Sequence, residues 1–214
     1  MVNRIKRNLI SNNVALRITT TYICLFIIFI TVTIISYYLL PQGFLLKLNK
    51  QPLKNWDTST NLAISSLQIL LFNLISVAAI LFGNIFSTRK NQQQSFIPLG
   101  YLAFFAIITI NAITLGTWSF SVLTNEIPSL TNRIMGTFNL FHRAGLWEMS
   151  GQLLILCATV KISLIITDGR KTITKDWKSI KLSKQEILLI GIGLILMLIG
   201  AIIESYGIIN VKLI

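Results

Sequence analysis

The most constraining feature of this sequence is a series of long apolar blocks separated by short polar segments. Each block is close to or above the roughly 20 residues that a helix needs to cross a bilayer. Only 12% of the residues are charged, and a soluble domain usually carries about twice that fraction. A soluble core would also break such blocks into shorter amphipathic pieces. The sequence therefore predicts an integral membrane protein, with the lipid bilayer as its first partner.

The blocks predict an all-α, polytopic helical bundle with about five transmembrane helices, in a single domain that covers residues 1–214. The expected spans are about 18–40, 62–86, 97–120, 146–167 and 186–209. The first block is longer than the apolar region of a signal peptide, so we interpret it as an uncleaved span. The segments between spans are predicted as loops. Residues 130–141 fit either a loop or an amphipathic helix on the membrane surface.

The distribution of Lys and Arg predicts the orientation. Twelve of the nineteen lie in the N-terminal segment and in the second and fourth loops, six lie on the other side, and Lys161 lies inside a span. Cytoplasmic loops carry the excess of positive residues, so the N-terminus is expected in the cytoplasm and the C-terminus outside. Because the net charge of +12 is spread over short loops, it does not indicate a nucleic acid as partner. Lys161 is expected to extend to the cytoplasmic surface.

Polar residues at membrane depth are the candidate functional residues, because each is costly unless it is paired or hydrated. Six of them fall in the outer half of the second to fifth spans: Gln68, Asn73, Asn111, Glu148, Gln152 and Glu204. Glu148 and Gln152 are four residues apart and share one helical face. We expect these six residues to line a polar cavity or network that opens to the outside and binds a ligand.

Each of these residues also has a simpler interpretation. Asn73 and Asn111 are typical of hydrogen bonds between helices. Glu148 lies in a first helical turn, where the helix dipole favours a carboxylate, and Glu204 is near the interface. No metal or cofactor is expected, because Cys24 and Cys157 lie in apolar blocks and the sequence has one histidine.

Catalytic motifs do not occur, so the chain is not expected to be an enzyme. Two alternatives stay open beside a non-enzymatic membrane component. One is an intramembrane enzyme of peptide maturation that uses Glu148, with Glu204 and His142 as further acid–base groups. The other is a self-contained small-molecule transporter, although an inverted repeat, which many such transporters have, is not visible.

Several short segments form a further pattern: the segment from Asn111 to Gly116, which follows Asn73 and Gly83 in the preceding span, the segment from Gly145 to Glu148, and Glu204. Together they resemble the pattern of the stage II sporulation protein M family. The resemblance covers roughly residues 60–210. Two positions depart from the family pattern: Ala112 replaces the usual glycine, and Ala144 replaces the usual histidine.

The resemblance implies a bacterial plasma-membrane protein with about five spans and without established catalysis. The sporulation member of the family works with peptidoglycan-degrading proteins, and other members look associated with ABC transporters and bacteriocin gene sets. The expected function is therefore that of a component of a multiprotein complex, in the export of or immunity to a membrane-active peptide (a bacteriocin), or in envelope remodelling. The expected partners are an ABC-transporter ATPase or peptide-maturation proteins, and a homo-oligomer is a further candidate assembly.

Overall fold

A computed structural model describes residues 2–48, 59–89, 96–119, 128–139, 144–168 and 171–212. The helices are α1 (Val2–Leu9), α2 (Val14–Leu39), α3 (Phe44–Leu48), α4 (Leu62–Ile85), α5 (Gly100–Gly116), α6 (Leu130–Thr137), α7 (Gly145–Thr159) and α8 (Lys184–Lys212). The strands are β1 (Phe86–Arg89), β2 (Phe96–Pro98), β3 (Ile165–Asp168) and β4 (Lys171–Thr174). The fold is thus mostly helical, and not all-α as the sequence predicted.

Among the described residues, three helices are long and apolar enough to cross a membrane: α2, α4 and α8. Only 28%, 22% and 28% of their most apolar windows are buried inside the protein. Most of their apolar surface therefore faces outward, as expected for helices in contact with lipid. The third and fourth predicted spans correspond to shorter helices, since α5 has 17 residues and α7 has 15.

The long helices run through the bundle in alternating directions. Strand β1 follows α4 directly and β2 closely precedes α5, so these two helix ends meet at the sheet. Near the same end, Asn84 Nδ2 of α4 donates to Thr159 Oγ1 of α7 at 2.8 Å. Arg17 of α2 contacts Glu186 of α8 there as well. Helices α2, α5 and α8 therefore start at this end, which we call the sheet end, while α4 and α7 start at the opposite end.

Helix α7 lies at the centre of the bundle. Every residue from Met149 to Thr159 is buried, and the helix packs against α2, α4, α5 and α8. Its closest neighbour is α8, because a Cβ added at Gly193 would lie 2.7 Å from the carbonyl oxygen of Gly151. The predicted span 146–167 is not one helix. It ends as an α-helix at Thr159, and its last residues form a 3₁₀ turn (Val160–Ile162) and most of β3.

The four strands form one sheet in the order β2-β1-β3-β4, in segments that the sequence predicted as loops or as span ends. Strand β1 pairs antiparallel with β2 and parallel with β3, and β3 pairs antiparallel with β4. The β-branched residues of β3 and β4 suit a pleated strand. The sheet connects the C-terminal ends of α4 and α7, and it replaces two separate loops with one structural unit.

At the opposite end, α6 docks on the bundle through Arg133. This buried side chain donates from Nη1 to the carbonyl oxygen of Gly116 at 2.6 Å, and it stacks over the rings of Tyr37 and Trp118. A cation at the C-terminus of α5 satisfies its last carbonyl groups and complements its dipole. Burial lowers the pKa of the Arg133 guanidinium, and Tyr37 opposes part of that shift. Within the segment 130–141, for which the sequence left a loop or a helix open, residues Leu130–Thr137 therefore form a helix that packs against α5. Residues 140 and 141 lie outside the described residues.

Candidate functional site

The first element of the site is Glu148, in the first turn of α7. Helix α8 passes close by because Gly200 has no side chain there: a Cβ at this position would lie 2.7 Å from Cγ of Glu148 and 3.3 Å from Cβ of Trp147. Small residues let two helices approach closely in a membrane protein. The glycine thus allows the side chain of Glu148 to lie directly on the backbone of α8.

Helix α4 contributes the second element, Asn73. Its Nδ2 donates to Oε1 of Glu148 at 2.5 Å, which joins the middle of α4 to the start of α7. This bond uses one of the two N–H groups of the amide. An amide partner satisfies an acceptor lone pair of the carboxyl group but brings no positive charge.

The third element is Glu204, four residues after Gly200 on α8, whose carboxyl group lies beside that of Glu148, so that two acidic groups face each other here. Glu204 is exposed, whereas Glu148 is partly buried. Asn73, Glu148 and Glu204 together form what we call the carboxyl cluster, which reaches from the interior of the bundle to its outer surface.

Of the six residues selected from the sequence, the structure brings these three together. Gln152 lies one turn further along α7; it is 4% exposed, and its Oε1 has no hydrogen-bond partner among the described residues. The other two occupy separate places. Gln68 accepts a hydrogen bond from the backbone N–H of Ser59 at 3.1 Å, and Asn111 is exposed on α5. His142 lies outside the described residues.

A second polar cluster, at the sheet end, was missed in the sequence. Arg17 of α2 is fully buried, and its Nη2 donates to Oε1 of Glu186 at 2.7 Å. Lys161 Nζ lies 3.8 Å from the same oxygen. Ser183 donates to Oε2 of Glu186 from its backbone N–H and from its hydroxyl group. We call these four residues the ion-pair cluster.

A sequence signal for the ion-pair cluster does exist. Ser183 and Glu186 have the spacing of a capping box just before an apolar run, and the structure shows the reciprocal bonds of that motif. The sequence places Arg17 in the N-terminal segment and predicts that Lys161 extends to the cytoplasmic surface, but it does not predict their common partner, Glu186 of α8. The Arg17 Nε and Nη1 atoms are buried without a hydrogen-bond partner among the described residues.

The two clusters offer different chemistry. The carboxyl cluster can take up a proton or a cationic group, because it holds two acidic groups and a neutral amide. Within the described part of the chain, no three His, Cys, Asp or Glu side chains lie close enough to hold a metal ion.

A scan against models of known protein families, a search of curated proteins and a search of solved structures find no match.

Proposed function

We propose that this chain is a non-enzymatic integral membrane component of a bacterial multiprotein complex, which works in the export of or immunity to a membrane-active peptide, or in envelope remodelling. The carboxyl cluster carries the proposal. Glu148 is partly buried among apolar helices and lies beside the exposed Glu204, and ionisable groups at membrane depth are expensive and mark functional sites. The cluster contains acidic groups and no positive charge. It therefore complements the charge of membrane-active peptides, which are rich in Lys and Arg.

The absence of catalysis is part of this proposal. Two carboxyl groups and an amide supply acid–base groups, but catalysis on a peptide also needs an aligned nucleophile or an activated water. Substituting Glu148→Gln separates the two possibilities, because the amide still accepts the bond from Asn73. A non-enzymatic component should keep its assembly with partners, whereas an enzyme should assemble and lose turnover.

The five-span topology, with a cytoplasmic N-terminus and an external C-terminus, is also proposed. The alternating directions of α2, α4, α5, α7 and α8 support it, and so does the lysine-rich chain at the sheet end. The test is labelling of single-cysteine variants in intact cells with a membrane-impermeant thiol reagent. Ser129→Cys should react, and Ser179→Cys should react only after the membrane is opened; both positions are exposed. The reverse pattern would invert the orientation.

The resemblance to the sporulation protein family supports a complex with an ABC-transporter ATPase or with peptide-maturation proteins. Three residues quoted for that resemblance, Asn73, Glu148 and Glu204, are the ones that meet in the carboxyl cluster. The deciding experiment is a pull-down of the tagged chain from its native membrane in mild detergent, with partners identified by mass spectrometry. An ATPase or biosynthetic enzyme in the eluate would support the proposal. Recovery of the chain alone, or only as a homo-oligomer, would contradict it.

A further inference from the structure

The sheet has two edges, and they differ in whether another strand can add to them. Strand β2 ends in Pro98, which has no N–H group, and proline is a common way to close an edge. Strand β4 contains no proline, and all four of its residues are exposed. An exposed edge strand is a template for an extended segment of another chain.

The register of β4 shows which backbone groups are open. The N–H of Lys175 donates to the carbonyl oxygen of Leu164 at 2.7 Å, one step beyond the pair Ile165–Thr174. Bonded and non-bonded pairs alternate along an antiparallel ladder. The backbone of Ile173 therefore bonds to β3, while Thr172 and Thr174 direct their N–H and C=O groups away from the sheet.

The charge around this edge selects the partner. From β4 to the start of α8 the chain carries five lysines and one acidic residue: Lys171, Lys175, Lys178, Lys181, Lys184 and Asp176. The same segment also carries two exposed apolar side chains: Trp177 is 69% exposed and Ile173 is 44% exposed. A segment that adds here gains backbone hydrogen bonds from the edge and charge complementarity from the lysines.

We propose that the β4 edge is a docking site for an acidic, extended segment of a partner protein, which adds to the sheet as a fifth strand. Thr172 and Thr174 provide the backbone hydrogen bonds, and the lysines between β4 and α8 select the acidic side chains. This inference rests on the proposed function, since it assigns the docking surface through which the chain joins its complex.

The experiment uses the full chain in nanodiscs of zwitterionic lipid and a fluorescent probe peptide with alternating glutamate and valine. The probe should bind the wild type, and binding should weaken by about tenfold or more in the variant with Thr172→Pro and Thr174→Pro, which loses two outward donors. The matched variant with Thr172→Ala and Thr174→Ala keeps the donors and should bind within about twofold of the wild type. Equal binding by all three proteins would overturn the proposal.

Changing the probe tests the same point without any risk to folding. Methylation of alternate backbone nitrogens on the side of the probe that faces β4 should abolish binding, whereas methylation on the other side should not. Equal effects of both methylations would show attraction by charge alone and overturn the proposal. Loss of probe binding when phosphatidylglycerol is added to the nanodisc would identify the lysines as a lipid-binding surface and would overturn it too. These outcomes need no native complex, so they are independent of the pull-down.

Discussion

The ion-pair cluster and the carboxyl cluster lie at opposite ends of α8, and they balance charge in opposite ways. At the sheet end, the carboxylate of Glu186 faces two cations, Arg17 and Lys161. At the opposite end, the carboxyl group of Glu148 faces a second carboxyl group and the amide of Asn73. A buried charge with a counter-charge can hold helices together, whereas an unbalanced acidic pair is costly and needs a proton or a cation. The comparison indicates that the first cluster stabilises the bundle, and it supports the proposal that the second binds a cationic ligand.

Removal of the carboxylate from the ion-pair cluster should have the largest effect on stability. The variant Glu186→Leu leaves the fully buried Arg17 without its counter-charge, and we expect the free energy of unfolding to fall by about 3–5 kcal/mol. The double variant with Arg17→Met and Glu186→Leu removes both charges and should recover most of that loss. Equilibrium unfolding of the purified proteins in mixed detergent measures both. If the single and double variants are equally unstable, the ion pair is not what stabilises this end.

Disturbing the contact between α7 and α8 should have the second-largest effect on the free energy of unfolding, because this contact positions both clusters. At Gly193, an added Cβ would lie 2.7 Å from the carbonyl oxygen of Gly151 and 2.8 Å from Cγ1 of Ile155. We therefore expect Gly193→Ala to lower the free energy of unfolding by about 1–3 kcal/mol. Gly191, two residues away on the same helix, has nothing within 4 Å of such a Cβ, so Gly191→Ala is the matched control. Equal stability of the two variants would mean that α7 and α8 are less tightly packed than described.

In the carboxyl cluster, the same kind of charge removal should affect binding and leave stability nearly unchanged. The variant Glu148→Gln keeps an acceptor for Asn73 and relieves the contact between two acidic groups, so the free energy of unfolding should change by less than about 1 kcal/mol. Binding of a lysine-rich amphipathic peptide to the chain in zwitterionic nanodiscs should weaken by about tenfold. A loss of stability as large as that of Glu186→Leu would remove the distinction between the clusters.

The sequence was sufficient to predict a mostly helical bundle, because the length and hydropathy of the apolar blocks decide where helices form in a membrane. The helix ends at the sheet were harder to predict. Residues 165–167 are β-branched and two of them are isoleucine, so hydropathy alone extends the fourth span through them, although they pair with β1 and β4. The pairing with β1 joins residues that are far apart in the chain, and local patterns do not reveal it.

Depth along a helix predicted part of the carboxyl cluster and missed the rest of the polar chemistry. It selected Glu148 and Glu204 because both lie near the same end of antiparallel helices. It could not determine which way each side chain points around its helix, since hydrophobicity is nearly uniform around helices in lipid. Depth alone therefore grouped Asn111 with Asn73, whereas in the structure Asn111 is exposed on α5 and does not belong to the carboxyl cluster. Arg17 was missed because it lies just before an apolar block, where a basic residue is expected in any membrane protein.

Asn111 provides the smallest expected effect and defines the boundary of the carboxyl cluster. Its side chain is exposed on α5, next to the exposed Ile110, so the variant Asn111→Val should change the free energy of unfolding by no more than about 0.5 kcal/mol. Binding of the lysine-rich peptide should be unchanged, in contrast to Glu148→Gln. Weaker peptide binding would extend the ligand site from α7 and α8 onto α5. A change in the size of the detergent-solubilised particle would show that α5 contacts a second copy of the chain, where an amide between helices supplies a hydrogen bond.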